Sequence, residues 1–191
     1  MNTKAFRAIM ADPLVIKLKK THPDAIVPDY QSAGAACFDL HSIESTTVAS
    51  WREPKILRTG LSVEIPPGWV MLIFSRSGHG FKNDVRLANA VGVIDADYRG
   101  EIMVKLHRDS PGLREDRSTL SVSKGDRIAQ AMIIPRPTVK FEVVNELGDT
   151  ARGAGGFGST DRYADNPGDD PFGSEGKHGW RLKDPAHPGN L

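Results

Sequence analysis

The chain has 191 residues, with 25 basic and 24 acidic side chains, a formal net charge of +1 and one cysteine, Cys37. That length suits one domain with a genuine core plus a tail, and excludes two full domains. The even charge balance excludes the electrostatic footprint of a duplex-binding protein, and the lone cysteine excludes a disulfide framework, so stable nucleic-acid binding is not expected and a reducing, cytoplasmic compartment is.

Along the chain, residues 1–13 carry no long apolar run. The longest apolar segments fall far short of the roughly 20 residues that cross a bilayer, so neither a signal peptide nor a membrane partner is expected. Short runs rich in Val, Ile and Leu at 14–18, 61–65, 69–74, 102–106, 128–134 and 139–144 have strand length. Turn chemistry separates them, as in Pro66-Pro67-Gly68, Ser77-Gly78 and Lys124-Gly125-Asp126, leaving only brief helix-like stretches at 4–11 and 87–90. The pattern predicts an all-β chain, a jelly-roll-like antiparallel sandwich or barrel. The loop 109–118 reads as a charged solvent loop. From Arg152 onward Gly, Pro and Asp dominate, so that segment lacks the apolar surface to offset its ordering entropy and should be mobile unless a ligand or neighbour fixes it. The expected organisation is a β domain at 1–148, a flexible Gly-rich segment at 149–160, and a disordered or partner-docked tail at 161–191 in which Trp180 is the anchor to test.

Four segments carry chemistry. In the stretch 89–101, two short apolar pieces flank Gly92 and are followed by Asp95, Asp97 and Tyr98. This suits a hairpin that offers backbone amides to a ligand with Asp95 at its rim, where a carboxylate could act as general base; the alternative is that both aspartates merely flank a turn. Ser75-Arg76-Ser77-Gly78-His79-Gly80 combines a guanidinium fork, hydroxyls and open backbone, which suits phosphate and equally a polar turn. His79, between two glycines, reads as a solvent-facing turn residue. Gln130 is a neutral donor among apolar neighbours and needs a partner, either a backbone carbonyl or a ligand oxygen. Lastly, RGAGGFGST at 152–160 is glycine-rich with Arg152, an isolated Phe157 and the hydroxyls Ser159 and Thr160, ingredients of a lid that closes on substrate. No Gly-Lys-Ser/Thr follows its glycines, so it is not a Walker loop.

Taken in order, with AGAACFDL at 33–40 as a further segment, these motifs resemble those of the trimeric dUTP pyrophosphatases (dUTPases) from about residue 14 to residue 160. The resemblance implies hydrolysis of dUTP to dUMP and pyrophosphate by in-line attack of water on the α-phosphorus, limiting uracil in DNA and supplying dUMP. It implies Mg2+ as cofactor, with Asp39 holding metal-bound waters, and Asp95 as the residue that orients and activates the attacking water. Arg76, Ser77, Gly78 and Gln130 would contact the triphosphate, Asn89 and Gly92 would frame the uracil, and Tyr98 would pack under deoxyribose. Phe157 would stack on the base while Arg152, Gly156, Ser159 and Thr160 enclose the β and γ phosphates. The family pattern also implies a homotrimer with shared sites, and Cys37 as a spectator. The loop 109–118 and the residues after Thr160 are longer than the family pattern requires, and are candidates for contact with a protein partner. Two rival readings remain: a dCTP deaminase, whose catalytic glutamate would align with Lys105, a cation that cannot serve as that base, and a non-catalytic nucleotide sensor, which the intact Asp95 argues against.

Overall fold

A computed structural model describes residues 13–49, 52–109, 119–151 and 153–154. The helix expected at 4–11, most of the loop 109–118, Arg152, Gly156, Phe157, Ser159, Thr160 and Trp180 lie outside the described residues. The chain divides into a β unit that ends at Lys140 and a second unit from Phe141.

Eleven strands are present among the described residues: β1 (Lys17–Lys20), β2 (Phe38–His41), β3 (Thr46–Val48), β4 (Lys55–Arg58), β5 (Leu61–Glu64), β6 (Trp69–Phe74), β7 (Val85–Leu87), β8 (Val91–Ile94), β9 (Met103–Arg108), β10 (Leu120–Val122) and β11 (Arg127–Pro135). A seven-residue helix, α1 (Ser77–Asn83), is inserted between β6 and β7. Every ladder is antiparallel. The sheets run β2-β11-β6-β8, β4-β9-β7, β1-β5 and β10-β3, so that chain neighbours repeatedly belong to different sheets, as a jelly-roll-like fold requires.

Alternation explains most of the core. In β9, Val104 and Leu106 are buried while Met103 and Lys105 face out. The second strand of the four-stranded sheet is different: β11 is paired on both edges and buries Ile128, Ala129 and Ala131 completely, and the two alanines leave room for side chains from both neighbours. The core joins Leu40, Leu57, Ile73, Leu87, Leu106 and Ile128, from β2, β4, β6, β7, β9 and β11.

Two expectations are corrected. The helix-like stretch at 87–90 is the end of β7 and a turn, with Ala90 at φ 61, whereas the helix forms at 77–83 in the segment read as a polar turn. The sequence SGHGFKN has little helix propensity and no side chain caps its start, so tertiary contacts hold this helix, which closes at Asp84 in the left-handed region (φ 54). The apolar run 139–144 is not a strand; in it Val139 is 64% exposed and Val143 99%. The second unit, where described, has no regular structure, and a turn closes it where the Gly153 amide donates to the Thr150 carbonyl at 3.0 Å.

Candidate active site

Asp39 lies directly across a ladder from Gln130, and Gln130 across the next ladder from Phe74, so β2, β11 and β6 bring these residues into one row. A bulge in β11 between Arg127 and Ala129 interrupts the pairing with β2 and re-aims the Arg127 side chain. Its Nη1 reaches Asp39 Oδ2 at 3.3 Å, and Arg76 Nε lies 3.4 Å from Asp39 Oδ1. Asp39 is thus a nearly buried carboxylate, 8% exposed, held between two guanidiniums. Such a pair of cations on one anion leaves a net positive pocket, and the remaining N–H donors of Arg76 and Arg127 are matched to phosphate oxygens.

Arg76 is fixed from further sides. Its Nη1 donates to the Arg127 carbonyl at 3.0 Å and faces His79 Nε2 at 3.2 Å. Gln130 ties β11 to the same turn, because its Nε2 donates to the Ser75 carbonyl at 2.9 Å. Of the two partners open to this amide, a backbone carbonyl takes one hydrogen and leaves the other free for a ligand. The Ser75 hydroxyl accepts from the Leu87 amide at 2.9 Å, which joins the turn to β7. Ser77 and Gly78, the first residues of α1, are exposed beside this cluster. Burial and the Asp39 carboxylate push the Cys37 thiol up, which keeps it protonated and poorly nucleophilic.

The segment 89–98 differs from the expected hairpin. β7 pairs with β9 and β8 with β6, so residues 88–90 form an arch from one sheet to another and not a closed hairpin. The Val91 amide donates to the Asn89 carbonyl at 2.6 Å within that arch. Beside it lies a cleft of about 440 Å³ lined by Leu87, Asn89, Gly92, Val93 and Lys105 among others, large enough for a pyrimidine ring. Gly92 is the tight wall: a Cβ there would sit 3.1 Å from Ile73 Cβ. Beyond β8, Asp95 is exposed, its carbonyl accepts from the Tyr98 amide at 3.2 Å, and the Tyr98 hydroxyl donates to the Glu101 carbonyl at 3.0 Å. Glu101 in turn receives Arg58 Nε at 3.0 Å and the Gly60 amide at 2.8 Å, which braces the 98–101 turn against β4 and β5.

Register decides which residues meet. Ile94 pairs with Met71 and Val91 with Phe74, so Asp95 follows β8 beside the start of β6 while Arg76 follows the end of β6. At about 3.3 Å per residue their Cα atoms are on the order of 15–20 Å apart in one chain. The structure therefore brings together Asp39, Arg76, Ser77 and Gln130, and sets Asp95 and Tyr98 apart from them. Two residues of the cluster went unassigned in the sequence: Arg127, whose aim depends on the bulge, and His79, which is half-buried and not the solvent-facing residue expected. The spacing of Arg76 and His79, one helical turn, was the available signal, but it is visible only once α1 is recognised.

A jelly-roll-like scaffold that carries two guanidiniums on one carboxylate and a separate cleft of about 440 Å³ is the class of β protein seen here, and its family is given by comparison with known proteins. The dUTPase family model matches residues 23–161. The deoxyuridine 5'-triphosphate nucleotidohydrolase of Nautilia profundicola is 44% identical over 145 residues, covering 76% of this chain and 97% of the relative. That of Solibacter usitatus is 40% identical over 158 residues, covering 80% and 100%. Among solved structures, the dUTPase of Staphylococcus bacteriophage 80alpha with dUPNHPP superposes with a TM-score of 0.67 at 27% identity, covering 76% of this chain and 97% of the other. The chain belongs to the dUTPase family.

Proposed function

We propose that the chain hydrolyses dUTP at a site assembled from more than one copy, with Asp95 of one subunit acting on a triphosphate held by Arg76, Ser77 and Gln130 of another. As a dUTPase it is a dUTP diphosphatase and yields dUMP. The observation that carries the shared site is the register of β6 and β8, which sets the Cα atoms of Asp95 and Arg76 on the order of 15–20 Å apart in one chain. A closed homotrimer satisfies this three times over by symmetry. The exposed apolar residues Val139, Phe141 and Val143, alternating as in a strand without a sheet, support assembly, as does an open apolar cleft lined by Leu14, Ile16, Tyr30 and Trp69.

In the reaction, Asp95 takes a proton from the attacking water, which is aligned with the α-phosphorus, and pyrophosphate leaves along the line of attack. Arg76 and the second N–H of Gln130 meet charge that grows on the phosphate oxygens. Arg152, Gly156, Ser159 and Thr160 close over the β and γ phosphates, and Phe157 stacks on uracil. The residues fit a magnesium ion that arrives with the triphosphate: the Asp39 carboxylate keeps lone pairs beside its two arginines for a metal-bound water. When bound, that ion offsets charge on the phosphates. Lys105 lines the pyrimidine-sized cleft where a deaminase would need a carboxylate, and its cation cannot serve as that base. A cytoplasmic setting and a role in keeping uracil out of DNA follow from the same reading.

Purified protein incubated with magnesium and each deoxynucleoside triphosphate in turn should release pyrophosphate from dUTP alone; ammonia from dCTP would overturn the assignment. The sugar contact has its own test. A Cβ at Gly100 would lie on the Tyr98 ring, 2.6 Å from Cζ. Gly100→Ala should therefore displace the ring and reduce discrimination of dUTP against UTP by about tenfold or more, read as the ratio of kcat/KM values.

A further inference from the structure

Arg76 carries the central phosphate contact in the reading above, and the inference that follows rests on that reading. Its guanidinium is aimed by acceptors alone, since it has no acceptor of its own. Two of these are the Asp39 carboxylate and the Arg127 carbonyl. The third is His79 Nε2, 3.2 Å from Arg76 Nη1. A ring nitrogen at that distance from a guanidinium N–H must present its lone pair, which assigns the proton of the neutral ring to Nδ1. Among the described residues that Nδ1 is buried without a hydrogen-bond partner. The ring is thus committed to Arg76 at the cost of its other nitrogen, which a residue that merely fills space would not require.

We infer that His79 is a positioning residue for substrate binding: its neutral Nε2 holds the Arg76 guanidinium in the orientation that receives the triphosphate. Protonation reverses the contact. An imidazolium donates from both nitrogens, so it would face the guanidinium donor to donor and cation to cation. The charged groups that face His79 are Arg76, on the turn before α1, and Asp126, on the turn before β11. Burial first, then the Arg76 charge, hold the His79 pKa below its ordinary value, with Asp126 opposing. The neutral, gripping form therefore prevails at neutral pH, and the grip is lost as pH falls through that lowered value.

The test compares His79→Leu, which removes the acceptor, with His79→Gln, which keeps an acceptor that does not titrate. At neutral pH, His79→Leu should raise KM for dUTP about five- to tenfold with kcat near that of the parent, and His79→Gln should stay within about twofold of the parent. From neutral pH down to about 5, kcat/KM of the parent should fall more steeply than that of His79→Gln, the titration of the substrate being common to both. An unchanged KM in a folded His79→Leu, or superimposable pH profiles for parent and His79→Gln, overturns the inference. Arg76→Ala separates the two levels of the argument. If it raises KM while the His79 variants do not, only the role of His79 fails; if it leaves KM unchanged, the phosphate role of Arg76 fails with it.

Discussion

Asp95→Asn is expected to bind dUTP as the parent does and to lose turnover by about 10²–10⁴-fold, the range for removal of a general base. The amide keeps the shape of the side chain but cannot take a proton from water. Calorimetry of dUTP binding beside a pyrophosphate assay separates the two effects, and near-parental turnover would remove Asp95 from the mechanism. The same variant tests the shared site. Asp95→Asn, low in turnover, and Arg76→Ala, weak in binding, should together recover kcat/KM when co-expressed, because an intact Arg76 from one subunit can then meet an intact Asp95 from another. Random mixing restores roughly a quarter of the sites if each is built from two subunits. If both residues served one site within a single chain, no mixture would recover anything. The β6–β8 register argues for recovery.

Truncation is the second large effect. Deleting everything after Gly148 removes Arg152, Phe157, Ser159 and Thr160, and efficient hydrolysis should be lost while the assembly remains intact by gel filtration and thermal melting. The β unit that ends at Lys140 contains the whole of the described core, so its stability does not draw on the deleted residues. Deleting only the residues after Thr160 should leave hydrolysis near that of the parent. Equal behaviour of the two truncations would mean that 149–160 does not act as a lid. The contrast is informative because a lid works by excluding water and completing the charge around the phosphates, and neither effect is needed for folding.

Legibility varied with the length of the signal. The runs at 69–74 and 128–134 correspond to β6 and β11 almost residue for residue, because continuous Val, Ile and Met segments have few alternatives to a buried strand. The three-residue strands β3, β7 and β10 are too short to show a period, and they went unread. The run 139–144 has strand composition yet forms none in one chain, since a strand exists only with a partner ladder. In the cluster, Asp39, Arg76 and Gln130 lie in motifs that single them out in the sequence, and the ladders bring them together. Arg127 and His79 were passed over because a bulge and an unpropitious helix aim them.

By itself the sequence determined the residue types at the site, the all-β class and the family, since motifs, turns and apolar runs are local properties that survive without coordinates. Tertiary structure alone decided which of those residues meet. The ladders put Asp39 and Gln130 side by side although 91 positions separate their numbers, and put Asp95 and Arg76 at opposite ends of one strand although only 19 do. Proximity here is set by register, and register is settled by the packing of a whole sheet against its core, a property that no single segment carries.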